Sequence, residues 1–221
     1  MKLAHPMLSL PFKWEEEHVN SFVIENATMY RNFLTELYDQ CSGLNGDFVL
    51  SNNLELLEIS KNIEMVGNVL EIDHNNKKIV SGIVKELTDV AINDLHTEVL
   101  ELYSKINETI SNIIFESGND IVFDDINDIS QLLKLYNVRP DSEDLSLAEK
   151  ILSYMNLCEK YLGKKLFVFL NIHSYFSKGE LELLFQDFIY RKFNVLLIER
   201  YDYQTVKGES KRILDRDLCE I

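Results

Sequence analysis

Six carboxylates, Glu108, Glu116, Asp120, Asp124, Asp125 and Asp128, fall between Ile106 and Leu133, a stretch with no lysine or arginine. Carboxylates gathered without cations repel one another, and a hard divalent ion taking about six to eight oxygen ligands relieves that repulsion. Gly118-Asn119 allows a sharp turn within the set. Glu116, at the end of a long helical pattern, would lie at the negative pole of the helix dipole, where a cation is stabilising. The same residues also read as a solvated acidic turn in which Asp124 or Asp125 caps the next helix, since the ordered EF-hand loop is not present. Spacing leaves both readings open.

Other site chemistries find less support. There is no G-x-x-x-x-G-K-[ST]; Gly163-Lys164-Lys165 lacks the upstream glycine and the hydroxyl that would hold magnesium. Without a glycine loop, backbone amides cannot close around phosphates, so nucleotide hydrolysis has no visible apparatus. His5, His18, His74, His96 and His173 are scattered, and a base or ligand needs partners that this spacing does not supply. The basic residues form loose groups: Lys77 and Lys78 open a long helical pattern, Lys134 and Arg139 flank the exit of the acidic segment, and Lys207, Lys211, Arg212 and Arg216 lie near the C-terminus. Each of these also reads as ordinary solvated surface.

The chain that must position these groups has 221 residues, 46% hydrophobic and 27% charged, with 8 Gly and 3 Pro, the balance of a globular protein of one or two domains. Its formal net charge is −15, which taken alone argues against binding nucleic acid. Cys41, Cys158 and Cys219 form no CxxC pair and leave an odd thiol, which fits a reducing interior and a cytoplasmic location. Neither a cleavable leader nor a spanning apolar run is recognisable, so no membrane association is expected.

The first 25 residues read as short extended segments, followed by a helix from Ala27 to about Cys41 on the stripe Met29, Phe33, Leu34 and Leu37. Phe48 to Leu50, Leu56 to Ile59 and Ile63 to Val66 read as strands, the first two equally compatible with helix. Between Lys77 and Phe115 apolar residues recur at helical intervals without a proline, predicting two long helices that meet near Asn93-Asp94. A β-like run, Ile121-Val122-Phe123, and a helix from about Ile126 to Tyr136 follow. Ser146 with Glu149 and Ser177 with Glu180 are capping boxes opening two further helices. The uninterrupted apolar runs Leu166 to Leu170 and Val195 to Ile198 suit parallel strands buried on both faces. The predicted fold is therefore α/β with a mixed, largely parallel sheet: residues 1–70 and 138–221 form a head, and residues 71–137 form an all-helical insertion.

This pattern resembles the DNA-end-binding adaptation proteins of type II-A CRISPR systems. The resemblance rests on the helix opening Asn26-Ala27-Thr28-Met29-Tyr30, the insertion ending Ile113-Ile114-Phe115-Glu116, the acidic segment, and the closing stretches Lys164 to Asn171, Phe176 to Glu180 and Val195 to Glu199. It implies a degenerate P-loop-like head, a helical leg, and a ring-shaped homotetramer held in its working shape by calcium ions. It further implies that linear double-stranded DNA enters a lysine-lined hole by its ends, that no reaction is catalysed, and that integrase proteins and an RNA-guided nuclease are partners. Carried onto this sequence, the calcium ligands are Glu116, Asp120, Asp124, Asp125 and Asp128, in a segment less Glu-rich than the family's. The DNA contacts are Lys134 and Arg139, where the family also tends to be basic, with Lys77 and Lys78 added from their place on the leg. The residues by themselves leave two other classes open, an acidic scaffold that recruits protein partners and a metal-dependent nuclease using the same carboxylates.

Overall fold

The computed structural model describes residues 1–14, 18–53 and 55–221. The extended reading over 15–17 lies outside the described residues. Two compact units divide the chain: residues 1–73 with 142–221, and residues 74–141.

The first unit is built on a five-stranded, wholly parallel sheet. Numbering strands in chain order, β1 is Lys2–Ala4, β2 Phe12–Lys13, β3 Val19–Ile24, β4 Val49–Asn52, β5 Glu55–Leu57, β6 Ile63–Val66, β7 Leu166–Leu170, β8 Asn194–Glu199 and β9 Glu209–Leu214. The sheet order is β6-β7-β8-β3-β9, with Val168 opposite Leu196 and Phe22 opposite Ile198 and Arg212. All six residues of β3 are buried, as the two-sided cover of a parallel sheet requires. A second, antiparallel sheet runs β2-β1-β4-β5, with Leu3 opposite Leu50.

Helices supply the cover. Asn26 caps α1 (Ala27–Cys41) by accepting from the backbone N–H groups of Thr28 and Met29, and the helix buries Phe33 and Leu37. Phe33 meets Phe22 and Phe48 at centroid separations of 5.5 and 4.8 Å, an aromatic cluster that joins α1 to both sheets. A short α2 (Ile59–Asn62) replaces the end of the strand expected over 56–59. Numbering the helices of the second unit α3 to α5, α6 is Leu147–Leu162 and α7 is Lys178–Tyr190. Both predicted capping boxes are formed, Ser146 with Glu149 and Ser177 with Glu180. Gly163 ends α6 at φ 68°, a left-handed conformation that glycine adopts without Cβ strain. α7 buries Leu181, Leu184, Phe185 and Phe188 against the sheet.

Strand β9 has no counterpart among the sequence expectations, because its charges hide it: Glu209-Ser210-Lys211-Arg212 shows no apolar alternation. In place of apolar cover it has specific partners. Lys211 Nζ reaches Asp202 at 2.5 Å and donates to the Tyr203 carbonyl at 2.7 Å, while Arg212 pairs with Glu220 and lies 4.4 Å over the Phe12 ring. A buried histidine ties β9 inward. His173 Nδ1 lies 2.9 Å from Glu199 Oε1, and Nε2 faces Glu209 Oε1 at 3.5 Å, an ion-pair distance rather than an aligned hydrogen bond. The ring stacks on Tyr203 at 5.2 Å and meets Phe185 edge-on.

The second unit is helical. α3 spans Lys77–Asn93, α4 His96–Ser117 and α5 Ile129–Leu135. Asn76 caps α3, which buries Ile79, Val84 and Ala91 and packs against α4 and α5. No residue of α4 is buried. The run Ile121-Val122-Phe123 is irregular, correcting the β-like expectation; its backbone pairs with no strand among the described residues, and Val122 is 95% exposed. No helix among the described residues is long and apolar enough to cross a membrane.

Candidate nucleic-acid interface

The five carboxylates assigned to calcium occupy different local settings. Glu116 is exposed in the last turn of α4, which Gly118 terminates at φ 68°. Asp120, Asp124 and Asp125 are exposed along the irregular segment leading to α5. That segment is pinned to α4 where Asn107 Oδ1 accepts from the Ile126 N–H at 3.0 Å. Asp128 is the N-cap of α5, the role that spacing offered to Asp124 or Asp125. Its Oδ1 accepts from the Ser130 N–H and its Oδ2 from the Ser130 hydroxyl, each at 2.8 Å. The hydroxyl first, then the backbone bond, hold the carboxyl below the ordinary aspartate range. No group of three or more His, Cys, Asp or Glu side chains among the described residues is placed to hold a metal ion. One chain therefore does not assemble the multi-oxygen shell that calcium requires, and these residues do not fit the ion within a single copy.

The basic residues behave differently. Lys77, Lys134 and Arg139 line one cleft of about 590 Å³ within residues 74–141, together with Asn75, Ser81 and Asn137, over Val80 and Val84. Two pieces of local structure bring them together. α3 presents Lys77 and Ser81 one turn apart, on the side from which Val80 and Val84 also face the cleft. α5 then ends in a Schellman-type turn: Asn137 takes φ 51°, its N–H donates to the Lys134 carbonyl at 3.0 Å, and the Val138 N–H donates to the Leu133 carbonyl at 3.2 Å. That turn reverses the chain and brings Arg139 to the same wall as Lys134. Arg139 Nη1 also donates to the Asn137 carbonyl at 3.4 Å.

The electrostatics of the cleft point one way. Its lining contains no carboxylate. Lys77 and Lys78 open α3, whose first turn carries no acid, so two cations stand at the positive pole of a helix dipole, a placement that costs stability unless an anion approaches. Lys78 is exposed on that first turn but outside the cleft lining. The arrangement suits an oxyanion held by three cations with amide and hydroxyl groups beside them. Asn75, Ser81 and Asn137 were not legible as site residues. The one available signal was the spacing of Ser81, four residues after Lys77.

The family model for CRISPR-associated protein (Cas_Csn2) matches residues 39–218. The chain belongs to this family. All nine residues singled out from the sequence lie inside the matched span, and so do both capping boxes. The match opens near the end of α1, so β3 lies outside it, yet β3 pairs with β8 and β9, which lie inside. The Cas_Csn2 assignment makes this a CRISPR adaptation-associated protein with an α/β head and a helical part.

Proposed function

We propose that this Cas_Csn2 chain binds the ends of linear double-stranded DNA without reading sequence and without catalysing a reaction. In this reading it works as a homotetrameric ring that assists spacer acquisition beside the CRISPR integrase proteins and the RNA-guided nuclease. The observation that carries the reading is the composition of the cleft. Residues 74–141 contain twelve acids and six bases, and the cleft collects three of those bases and none of the acids. Lysine and arginine directed at phosphates bind any sequence and release counterions, so affinity falls steeply with salt. Assembly is supported by the large apolar residues that residues 74–141 leave in water, among them Leu100, Ile113, Phe115, Val122 and Leu135. Apolar surface of this extent on a small unit is a mark of protein–protein contact.

Calcium belongs to the proposal as an ion of the assembled ring. The carboxylates of one chain do not converge, so a second copy would have to complete the ligand set, and DNA contact by the cleft does not pass through the ion.

The test compares a linear duplex with a relaxed closed circle of the same sequence, in calcium. Retardation of the linear form alone is expected, with log affinity falling linearly against log salt and the slope shrinking by about one for Lys134→Gln. Equal binding of both forms sinks end entry. Salt-insensitive association with protein partners and no DNA retention would favour a scaffold, and cleavage in magnesium or manganese would favour a nuclease.

A further inference from the structure

The cleft is concave, and a duplex is not. A passing B-form backbone presents single-charge phosphodiesters on a convex surface and would touch the rim of a cavity of about 590 Å³ rather than fill it. The cleft also places its three cations around one cavity over the apolar floor of Val80 and Val84, where a sugar or base edge can lie. A terminal phosphate monoester fits such a site better than an internal diester. It carries about −1.5 to −2 charge at neutral pH, against −1 for the diester, and offers three strong acceptor oxygens. An end nucleotide can also leave the duplex stack to reach into a cavity, which an internal one does only at the cost of unpairing on both sides.

We propose that the cleft lined by Lys77, Lys134, Arg139, Ser81, Asn75 and Asn137 holds the terminal phosphate monoester of a DNA strand. This inference rests on the DNA-end reading above and deepens it: the protein recognises a chemical property of the end as well as the topology of the molecule. The phosphate oxygens accept from the two ammonium groups and the guanidinium, the Ser81 hydroxyl and the two side-chain amides supply further donors, and the nucleoside lies on the valines.

The experiment uses the full chain with linear duplexes of one sequence that end in 5′-phosphate, 3′-phosphate or hydroxyl only, measured by fluorescence anisotropy at fixed salt and calcium. A phosphorylated end should bind about tenfold more tightly than the hydroxyl end, the increment expected when the monoester's added charge of about −1.5 to −2 meets three cations at the protein surface. The preference should disappear in Lys77→Gln and Lys134→Gln, two exposed side chains whose replacement leaves the fold intact as checked by circular dichroism. It should also shrink as pH falls below about 6, where the monoester takes up a proton and keeps about one negative charge, while the hydroxyl-ended duplex changes little. Equal affinity for phosphorylated and hydroxyl ends, with circles still excluded, overturns this inference and leaves the end-binding function standing. Equal binding of circles removes the end-binding function itself. A free 5′-deoxymononucleotide binding as tightly as the phosphorylated duplex would make the cleft a small-molecule site and overturn the assignment to a strand end.

Discussion

Replacing His173 with glutamine should abolish the pH dependence of folding stability between about pH 6.5 and 8.5, and the surroundings of the ring set the size of the effect. Burial disfavours the imidazolium, but the hydrogen bond to Glu199, the close approach of Glu209, and then their negative charge overcome this and push His173 from 6.5 up to about 9. A raised folded value means that the stabilisation is complete below about pH 6.5 and is lost as pH rises through about 9. Between those limits the folded chain holds a proton that the unfolded chain has released. Stability then falls by about 1.4 kcal/mol per pH unit, or about 2–3 kcal/mol across the window at most. Glu209 is the same pairing seen from the other side: burial raises it, but His173, the Val206 N–H and Ser21 together lower it more, and the net position is below the ordinary glutamate value. Its contribution is therefore present above about pH 4.5 and lost as pH falls through the lowered value, and it is not added to that of His173. The window closes near pH 8.5 because burial pushes the thiols of Cys41 and Cys158 up to about 11 and about 12. Above that pH the unfolded thiols ionise first and impose an alkaline loss of their own. In His173→Gln the carboxylates of Glu199 and Glu209, both 1% exposed at the side chain, lose the imidazolium that neutralises them, and a deficit of about 3–5 kcal/mol at pH 6.5 is expected. Urea denaturation followed by circular dichroism at half-unit steps from pH 6 to 8.5 measures both quantities. A flat wild-type profile, or a variant that keeps the wild-type slope, refutes the reasoning.

The other two expectations concern the carboxylates and the caps. Glu116→Ala combined with Asp120→Ala should shift sedimentation toward smaller species in calcium; identical wild-type species with calcium and with a chelator, together with unchanged DNA binding, would remove the ion from the assembly. Ser146→Ala, which takes the Oγ acceptor from the Glu149 N–H at the start of α6, should cost about 1 kcal/mol in urea denaturation at pH 6.5, and an unchanged midpoint would deny the capping box any stabilising role.

What the sequence revealed depended on whether a residue's role was local. α1, α3 and α4 were legible from a local apolar stripe, α6 and α7 from a stripe with a capping box a few residues away, and β7 and β8 because burial on both faces leaves an uninterrupted apolar run. β9 was not, since Lys211 and Arg212 are half-buried by partners elsewhere in the chain, Asp202, Tyr203, Phe12 and Glu220, which no window around residue 211 contains. Ile121-Val122-Phe123 failed in the opposite direction: its composition suits a strand, but a strand needs a neighbour and this segment has none among the described residues. The site divides along the same line. Lys134 and Arg139 could be paired from five-residue spacing around a helix end, whereas their meeting with Lys77 depends on α5 returning to α3 across more than fifty residues.

The net charge of −15 and the cationic cleft act over different distances, and this affects how salt enters DNA binding. At physiological ionic strength the Debye length is about 8 Å, so a phosphate inside the cleft feels Lys77, Lys134 and Arg139 while most of the acidic surface is screened from it. At about 0.01 M salt the length grows to about 30 Å, comparable with a small domain, and the whole anion then opposes approach. Raising salt thus weakens the contacts by making counterion release less favourable, and at the same time removes the long-range repulsion. The two effects oppose each other only at low salt. A plot of log affinity against log salt should therefore run straight at and above physiological strength, with a slope that counts phosphate contacts, and flatten or turn over below it. A protein whose binding surface and net charge had the same sign would continue straight to the lowest salt, so the curvature itself distinguishes a local cationic site on an anionic molecule from general basicity.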